Sequence, residues 1–573
     1  MKDRSRILAI VFLIGVTGLV ARLFYWQIVK GSSLSELATL QQTNRTTLPA
    51  KRGGIFSVDG TPLTRSIPSW RLFMYRPQFE GDESSLPIKL APFTAPSFPD
   101  QTLAVSSESA RIQSVLSNKS PQWLPLKNQI TREQKAKIES LHIPGLGFDE
   151  AQTRMYPEAS MSAHLLGFVG KDDDGNDLGY FGLEGYYDLL LSGKSGVYET
   201  QANALGSPVV SDNDIQLNSY SGADLVTSIN KALQLSIEKH LAEGLTKYEA
   251  QAGSITVINP RNGEILAEAS FPAYSPANYA ESSDEFFRDP VISDSFEPGS
   301  IMKPIVMASA FDAGLLGPDT ECDICGSAYH VGPYVIRTWN NQYFANITMR
   351  DVIRHSDNVG MVYVGSKLGT ERLYDYLTKF GFGKPTNIDL QGEYGAPMRK
   401  LSEWGEVERD TASFGQGIAV TPIQMLSAIS VIANKGVSIT PHVVKSIQLG
   451  TWKKDKSFPQ GTRVISEDAS NKMIQVMVYA VDQGEAKWAV PKGYEKVFAG
   501  KTGTAQVAVD GKYDDTKTNA SFIGFGPANN PQFAMLVTLK QPKSSPWAAE
   551  TAAPLWFQTA IDVMRYLGIP PKG

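Results

Sequence analysis

The sequence has little cysteine, little histidine and no excess of positive charge, and each shortage argues against a class of protein. Two cysteines in 573 residues cannot build the disulfide framework that holds small secreted folds together. A formal net charge of −5 argues against a nucleic-acid-binding protein, because such proteins usually carry a basic face. No motif indicates a metal site or a phosphate-binding loop, so we expect neither a metal nor a cofactor.

The remaining composition is that of a folded protein with more than one domain. Hydrophobic residues make up 42% of the chain and charged residues 20%, with no bias towards disorder. Because 573 residues exceed one ordinary domain, we expect about two to four.

One long apolar run lies near the N-terminus, at residues 7–29. It is long enough to cross a bilayer as one helix, and the basic Lys2, Arg4 and Arg6 before it predict a cytoplasmic tail of residues 1–6. The rest of the chain is then expected outside the cytoplasm, with the protein in the cytoplasmic (inner) membrane. A cleaved signal peptide is the alternative. We favour an uncleaved anchor, because no small-residue cleavage site stands out and apolar residues continue beyond Arg22.

Residues 30–220 are mixed in composition, rich in turn signals and without a catalytic set, which is typical of a spacer or docking domain. Four prolines within residues 86–99 predict an irregular segment. Several short islands of glycine, charged and aromatic residues are interpreted as structural: 52–55, 154–157, 166–170 and 182–187.

From about residue 221 the pattern is that of regular strands and helices. We expect strands at 224–229, 520–526 and 532–539, a hairpin at 253–269, and helices at 232–248 and 550–566. Thr421 and Pro422 are expected to begin another helix, as its cap and its first residue. Strands at both ends with helices between them predict an α+β fold for residues 221–573.

Ser300 and Lys303 are the first candidate catalytic residues. They lie three apart where the apolar run 305–308 predicts the start of a helix, so both side chains share one face. Pro304 fits only in the first turn, where no intrahelical N–H is lost. Ser300 would then lie where free N–H groups and the positive end of the helix favour a developing oxyanion.

Two further motifs make this signal far more specific. Ser356-Asp357-Asn358 and Lys501-Thr502-Gly503 follow, giving the order S-x-x-K, S-D-N, K-T-G. Serine needs a base to become a nucleophile, and no histidine lies near it in the sequence, so a neutral Lys303 is the nearest candidate. Burial and the charge of Lys501 would both lower the pKa of Lys303, while Lys501 would also attract a substrate carboxylate.

The other motif residues suit the remaining steps of an acyl transfer to serine. Ser356 can pass a proton to a leaving amine, and Asn358 can hold a substrate amide. Gly503 lets a substrate backbone lie against an edge strand. The N–H groups of Ser300 and Thr504 would form the oxyanion hole.

Together these motifs resemble those of the class B penicillin-binding proteins, which are membrane-anchored peptidoglycan D,D-transpeptidases. The likeness covers most of residues 40–565, including the islands and the three motifs. It implies a penicillin-binding/transpeptidase domain of the serine β-lactamase-like fold at 221–573, on an elongated pedestal at 30–220, with one N-terminal transmembrane helix. Ser57 and Val58 depart from the family, which often has an aspartate and an arginine in this turn.

The resemblance implies a serine-type D-Ala-D-Ala transpeptidase that cross-links stem peptides through an acyl-enzyme and is inhibited by β-lactams. Lys501 and Thr502 would hold the terminal carboxylate of the stem peptide. The motif regions are most similar to the septal, cell-division branch rather than the elongation branch: 294–304, 356–360, 413–417 and 501–505. The expected partners, docked on the pedestal, are a polytopic membrane glycosyltransferase and other division proteins.

Other functions were weighed against this one. A class A β-lactamase would need a glutamate-containing deacylation element after Ser356, and none is found. A β-lactam sensor would need a cytoplasmic or membrane signalling domain, which residues 1–6 cannot supply. No part of the sequence fits a glycosyltransferase domain, which argues against a bifunctional class A enzyme. An elongation-type class B enzyme and a non-catalytic cell-wall scaffold stay as alternatives.

Cys322 and Cys325 stand three apart but do not predict a closed zinc site. With His330 they supply three ligands, one short of a tetrahedral set. A loop disulfide outside the cytoplasm and two free thiols are both open.

Overall fold

A computed structural model of the chain describes residues 2–96, 100–173, 175–202, 208–209, 215–509 and 512–570. The chain divides into two compact units. One comprises Met1–Lys51 and Gly193–Gly222, and the other comprises Arg52–Ser192 and Ala223–Gly573.

Helices and strands alternate through the first 220 residues. The helices of this part are α1 (Lys2–Phe24), α2 (Gly31–Gln42), α3 (Leu86–Thr94), α4 (Gln101–Ser117), α5 (Arg132–Glu139), α6 (Ala163–Leu166), α7 (Gly182–Tyr186) and α8 (Asp188–Leu191). The strands are β1 (Thr43–Leu48), β2 (Ile55–Phe56), β3 (Pro62–Tyr75), β4 (Trp123–Ile130), β5 (Leu146–Met155), β6 (Phe168–Lys171), β7 (Asp177–Tyr180), β8 (Gly196–Ala202), β9 (Pro208–Val209) and β10 (Ile215–Leu217).

The remaining residues are richer in long helices. These helices are α9 (Lys231–Tyr248), α10 (Pro290–Ser293), α11 (Lys303–Asp312), α12 (Met349–Arg354), α13 (Asn358–Leu368), α14 (Thr370–Lys379), α15 (Glu406–Ser413), α16 (Pro422–Ala433), α17 (Glu467–Gln483) and α18 (Ala552–Tyr566). The strands are β11 (Asp224–Thr227), β12 (Ala252–Ile258), β13 (Ile265–Phe271), β14 (Tyr329–Val331), β15 (Tyr334–Ile336), β16 (Val444–Leu449), β17 (Trp452–Asp455), β18 (Ala499–Val509), β19 (Lys512–Gly526) and β20 (Phe533–Lys540).

The first unit begins with the apolar helix that the sequence predicted. α1 continues into a π-helical turn at Tyr25–Val29, and the apolar span Asp3–Val29 has a mean hydropathy of 2.5 with no part of it buried. Its length and composition are those of a membrane-crossing helix. In the same unit β1, β8 and β10 form an antiparallel sheet in that order, with β9 paired to β8.

The second unit contains a seven-stranded sheet with the order β17-β16-β11-β2-β3-β4, in which β5 also pairs with β3. The predicted turn between β2 and β3 is present, and Ser57 Oγ donates a hydrogen bond across it to the carbonyl of Thr61 (3.0 Å). β2 pairs in parallel with β11. The sheet thus contains strands from both sides of residue 221, and the domain boundary at 220/221 stays a prediction from the sequence.

Three of the four structural islands of the sequence meet in one buried ion network, and the island 166–170 takes no part in it. Arg52 donates hydrogen bonds to Glu184 (Nε to Oε2, 2.7 Å) and to Asp188 (Nη1 to Oδ1, 2.7 Å). Arg154 donates to the other carboxylate oxygen of Glu184 (2.6 Å) and to the carbonyl of Gly53 (2.6 Å). Because Glu184 is fully buried, both guanidinium groups are needed to offset the cost of its desolvation.

The prediction of an irregular segment at 86–99 is wrong for residues 86–94, which form α3. Pro87 lies in the first turn, where its missing N–H has no intrahelical acceptor to lose. Pro92 removes one hydrogen bond, to the carbonyl of Ile88, and that residue is 74% exposed, so its oxygen can bind water instead. Burial of Leu86 and Leu90 on one face then favours the helix despite the prolines.

A five-stranded antiparallel sheet, β13-β12-β20-β19-β18, forms the centre of the C-terminal part. One face, with Ile255, Phe522 and Val537, packs against α9 and α18. The other face, with Ile523 and Leu536, packs against a helical layer that includes α11, α16 and α17. The result is three layers, as the α+β prediction required, with β18 at one edge.

Local signals gave the element boundaries correctly in this part. The elements expected at 224–229, 232–248, 253–269, 532–539 and 550–566 are present within a few residues. The strand expected at 520–526 is the end of β19, which begins eight residues earlier, at Lys512. Thr421 caps α16 in a reciprocal capping box with Gln424, and Pro422 is its first residue, as predicted. Cys322 and Cys325 form a disulfide, which is one of the two states that the sequence left open.

Candidate active site

Ser300 and Lys303 stand at the start of a helix, as the sequence predicted. Gly299–Met302 form a 3₁₀ turn, and α11 begins at Lys303 with Pro304 in its first turn. Ser300 therefore lies in the turn that precedes the helix rather than in the helix itself. Lys303 is fully buried, with 0% of its surface exposed.

A chain of hydrogen bonds connects the lysine to the first serine through the second motif. Lys303 Nζ donates to the carbonyl of Ser356 (2.6 Å), to Asn358 Oδ1 (2.8 Å) and to Ser356 Oγ (3.3 Å). Ser356 Oγ lies 2.9 Å from Ser300 Oγ. In the described site no direct hydrogen bond joins Ser300 to Lys303, so a proton would travel between them by way of Ser356.

The backbone of the second motif is held in an unusual conformation. Ser356 has φ 55°, in the left-handed region, which costs free energy for a residue with a side chain. Asp357 follows as the N-cap of α13, where its Oδ1 accepts from the N–H of Gly360 (2.9 Å). This turn directs both the hydroxyl and the carbonyl of Ser356 towards Lys303.

Both ends of the Asn358 amide are engaged. Its Oδ1 accepts from Lys303, and its Nδ2 donates to the carbonyl of Arg337 (3.0 Å). The predicted contact with a substrate amide can use the second N–H of Nδ2 or the second lone pair of Oδ1, because each end of the amide makes one of its two bonds here. In the present arrangement the asparagine orients Lys303.

The third motif lies on β18, the edge strand. Lys501 is 4% exposed, and its Nζ donates to Thr502 Oγ1 (2.9 Å) and to the carbonyl of the same residue (3.1 Å). Thr504 Oγ1 accepts from the N–H of Ala548 (3.1 Å), which ties the strand to the segment before α18. A single edge strand therefore carries all four of the third-motif residues that the sequence singled out, from Lys501 to Thr504.

Gly503 is required where this strand meets the serine turn. A Cβ at this position would lie 2.5 Å from Ser521 Oγ and 2.8 Å from Ile301 Cγ2. The second contact is with the residue directly after Ser300. Only glycine lets β18 and the 3₁₀ turn approach this closely.

The two lysines of the site have lowered pKa values. Burial holds the pKa of Lys303 well below its usual range, and the nearby charge of Lys501 lowers it further, against the opposing charges of Asp357 and Glu485. Burial also lowers the pKa of Lys501 to about 8. These are the two causes that the sequence suggested for a neutral Lys303.

A glycine turn, residues 413–417, contacts the turn Gly299–Met302 that carries Ser300, here called the nucleophile turn. The sequence did not predict that this glycine turn belongs to the site. The N–H of Gly299 donates to the carbonyl of Gly415 (3.0 Å), and the N–H of Gly417 donates to Glu297 Oε1 (2.9 Å). Residues 413–417 had entered only through the family resemblance. The glycine-rich turn between α15 and α16 could be recognised in the sequence, but no local sequence pattern indicates which segment of the chain it contacts.

Two tryptophans, also missed from the sequence, flank the second and third motifs. Trp339 Nε1 donates to the carbonyl of His355, next to the second motif (3.2 Å). Trp547 precedes the residue that donates to Thr504. Their rings meet edge to face with centroids 5.0 Å apart, and they are 45% and 40% exposed. The pair therefore spans the space between the two motifs at the protein surface.

The described residues contain no group of three or more histidine, cysteine, aspartate or glutamate side chains that could hold a metal ion. The sulfur atoms of Cys322 and Cys325 are bonded to each other, so neither is a thiolate ligand.

Comparison with known proteins agrees with this arrangement. Residues 253–559 match the penicillin-binding protein transpeptidase domain, and residues 47–227 match the penicillin-binding protein dimerisation domain. Stage V sporulation protein D of Bacillus subtilis is 31% identical over 569 residues, which is 98% of this chain and 85% of that protein. Peptidoglycan D,D-transpeptidase FtsI of Escherichia coli is 28% identical over 571 residues, 99% of this chain and 91% of that protein.

A solved structure supports the fold. The peptidoglycan synthetase from Bifidobacterium adolescentis has a TM-score of 0.72 at 26% identity, covering 93% of this chain and 98% of that one. The three-layer fold and the single site of three motifs define a serine-type transpeptidase. The chain belongs to the class B penicillin-binding proteins. The family and fold class inferred from the sequence are therefore confirmed.

Proposed function

We propose that this class B penicillin-binding protein, a peptidoglycan D,D-transpeptidase, uses Ser300 as its nucleophile and Lys303 as its base. The observation that carries the proposal is the path of hydrogen bonds from Ser300 through Ser356 to a fully buried lysine. A lysine with a lowered pKa can accept a proton near neutral pH, which an exposed lysine cannot do.

In the acylation step, Ser300 Oγ attacks the carbonyl carbon of the penultimate D-alanine of a stem peptide. Its proton passes through Ser356 to the neutral Lys303. As the peptide bond breaks, Ser356 delivers a proton to the nitrogen of the departing D-alanine and recovers one from Lys303. The 2.9 Å and 3.3 Å distances along this path support transfer in both directions.

The third motif binds the donor peptide. Lys501 and Thr502 hold its terminal carboxylate, and Gly503 lets its backbone lie along the open edge of β18. The N–H of Thr504 and that of the nucleophile stabilise the tetrahedral oxyanion, at roughly 3 kcal/mol per donor. Asn358 orients the base, and its second N–H or second lone pair can bind the substrate amide.

An amine of a neighbouring stem peptide completes the reaction. Its nitrogen attacks the ester carbonyl and gives up one proton through Ser356 to the neutral Lys303. A new amide bond forms, the bond to Ser300 breaks, and Lys303 returns that proton through Ser356 to the serine oxygen. A β-lactam imitates the terminal dipeptide, but its leaving group stays attached to the acyl portion. The drug is therefore expected to inhibit by staying on Ser300.

Mass spectrometry of the full-length protein after treatment with a fluorescent penicillin tests this assignment. We expect one adduct, on Ser300, and no labelling of Ser300→Ala. Ser309→Ala is a matched control, because Ser309 is a buried serine on α11, the helix that follows the turn of Ser300, and its hydroxyl donates to the carbonyl of Ile305. An adduct elsewhere, or full labelling of Ser300→Ala, contradicts the proposal. Rapid release of hydrolysed drug would indicate a lactamase instead.

We assign the enzyme to septal wall synthesis rather than to elongation. The support is the likeness of residues 294–304, 356–360, 413–417 and 501–505 to the septal branch. Depletion in the native host should give cells that grow without dividing, and a fluorescent fusion should concentrate at the division site. Rounded or swollen cells with a dispersed fusion would favour the elongation branch.

The same proposal includes topology and partners. We assign residues 1–6 to a cytoplasmic tail, 7–29 to the anchor, 30–220 to the pedestal, and 221–573 to the transpeptidase domain outside the cytoplasm. The apolar span and the disulfide support this, because disulfides persist outside the cytoplasm. Protease added to intact spheroplasts should remove 221–573, whereas full protection would reject the topology.

The pedestal is proposed to bind a polytopic membrane glycosyltransferase and other division proteins. Its match to a dimerisation domain supports a role in protein contacts. Cross-linking in membranes, followed by purification of the full-length protein, should recover the glycosyltransferase. Recovery of the protein without any multi-pass partner would contradict this part of the proposal.

A further inference from the structure

Two carboxyl groups outside the three motifs are buried side by side. Glu268 lies in β13 and Asp289 lies directly before α10, with 2% and 4% of their surfaces exposed. Their side chains are within hydrogen-bonding reach of each other. Glu268 Oε2 and Asp289 Oδ2 are buried and accept no hydrogen bond from any donor among the described residues.

Among the residues that the structure describes, no permanently charged cation faces the pair. The titratable groups that face it are His164 from α6, Glu238 from α9, Tyr274 after β13 and Asp294 after α10. Burial lowers the pKa of His164, so that ring is neutral at neutral pH. Arg288, the neighbour of Asp289 in the chain, is exposed to solvent. Two adjacent buried carboxylates without a cation cannot both be ionised.

Each member of the pair is fixed to its own element. The N–H of Glu268 donates to Gln234 Oε1 on α9 (2.9 Å). Asp289 caps α10, because its Oδ1 accepts from the N–H of Val291 (2.9 Å). Its carbonyl accepts from Ser293 Oγ (2.7 Å). The contact between the carboxyl groups therefore joins the central sheet to a short helix.

That short helix leads directly to the nucleophile. Asp294 forms an ion pair with Lys540 on β20 (Nζ to Oδ2, 2.7 Å), and Phe296 pairs through its backbone with Val420 before the chain reaches Ser300. Residues 294–297, which include both anchors, line a cavity of about 790 Å³, and the opposite wall of this cavity is the central sheet. Val291 and Ile292 pack α10 into the core, so the position of the residues that follow along the cavity depends on how α10 is held.

We propose that Glu268 and Asp289 share a single proton, and that this acid–carboxylate pair positions the segment that carries Ser300. The pair never touches substrate, and its effect on the reaction rests on the proposed role of Ser300. A proton between the two groups gives each unpartnered oxygen a hydrogen bond and leaves one negative charge instead of two. Burial raises the pKa of both carboxyl groups, which fits a retained proton.

The sign of the pH dependence follows from the raised pKa values. As pH rises above the ordinary carboxyl range, the unfolded chain releases protons that the folded pair still holds. Stability therefore falls with rising pH until the raised pKa is passed. Glu268→Gln replaces the proton with a permanent N–H donor, so this variant should lose that part of the pH dependence.

Thermal unfolding of the full-length protein in detergent, from about pH 5 to pH 9, tests the shared proton. We expect the Tm of Glu268→Gln to rise relative to wild type as pH rises, and Asp289→Asn to behave in the same way. Glu243→Gln, at an exposed carboxylate on α9, should run parallel to wild type. The infrared band of a buried protonated carboxyl should be present in wild type at neutral pH and absent from both amide variants.

The rate of penicillin acylation tests the positioning role. Glu268→Ala should lower the limiting acylation rate by about tenfold or more, with little change in the half-saturating concentration, because the nucleophile is displaced. Glu268→Gln should restore the rate to within about threefold of wild type. If penicillin does not label the wild-type protein, the proposed role of Ser300 is wrong. The thermal-unfolding experiment then still tests whether Glu268 and Asp289 share a proton. Parallel Tm curves, a missing infrared band, or normal acylation of Glu268→Ala would overturn the proposal.

Discussion

Lys303 owes its chemistry to its surroundings rather than to its residue type. Its Nζ is buried and makes three hydrogen bonds to the second motif. Burial comes first among the causes of its lowered pKa, and the charge of Lys501 comes second. A base of this kind works only above its own pKa, so acylation should weaken as pH falls below that value.

Lys501 should set the opposite, alkaline limit of the reaction. In the proposed mechanism its ammonium group holds the carboxylate of the donor, and burial lowers the pKa of that group to about 8. Acylation should therefore fall as pH rises through about 8. Lys501→Arg keeps its charge at higher pH, so its alkaline limb should move upward, at a lower absolute rate because the guanidinium has a different shape.

The measurement is the pH profile of penicillin acylation. Lys492→Arg, at an exposed lysine, is the control and should follow wild type. An alkaline limb that stays in place in Lys501→Arg would show that another group sets it.

At the scale of elements, the nucleophile turn depends on the glycine turn 413–417. Gly415 has φ 83°, and a Cβ there would lie 2.2 Å from the carbonyl oxygen of Gly299 and 2.7 Å from its nitrogen. Those are backbone atoms of the residue before Ser300. They cannot move without moving the nucleophile.

Gly415→Ala should therefore lower the acylation rate by about tenfold or more, because the serine is displaced. Gly314→Ala separates this effect from backbone strain alone. Gly314 has φ 68°, and nothing lies within 4 Å of its Cβ position. The control should cost about 1 kcal/mol of stability and leave acylation unchanged. Equal acylation by the two variants would argue against a support role for the glycine turn.

At the scale of the whole molecule, the Arg52–Glu184–Arg154 network ties together parts of the chain that are far apart in sequence. Glu184→Ala leaves the buried Arg154 without a carboxylate and Arg52 with Asp188 alone, and should cost about 3–5 kcal/mol. Asp177→Asn removes an exposed partner of Lys171 and should cost about 1 kcal/mol or less. Thermal unfolding and protease resistance of the purified protein measure both changes. Similar losses in the two variants would mean that the buried network adds little.

The sequence alone determined those features whose physical causes are local. The start of α11 followed from Pro304 and the apolar run, and the cap of α16 followed from Thr421 and Pro422. Hydrophobic periodicity gave the strands and helices from 224 onward. The three motifs indicated acyl transfer to a serine, and the resemblance over most of residues 40–565 indicated the family. The prolines led to the wrong prediction of an irregular segment at α3, because burial of one helix face outweighed the loss of one hydrogen bond.

Only the tertiary structure decided which distant residues meet. Ser356 stands between Ser300 and Lys303, Gly415 supports the nucleophile turn, and Trp339 meets Trp547. The contact between Glu268 and Asp289 is of the same kind. Each joins segments whose separation along the chain carries no information about distance in space. Their proximity comes from the packing of sheet and helices, and that packing depends on the whole core rather than on any local pattern.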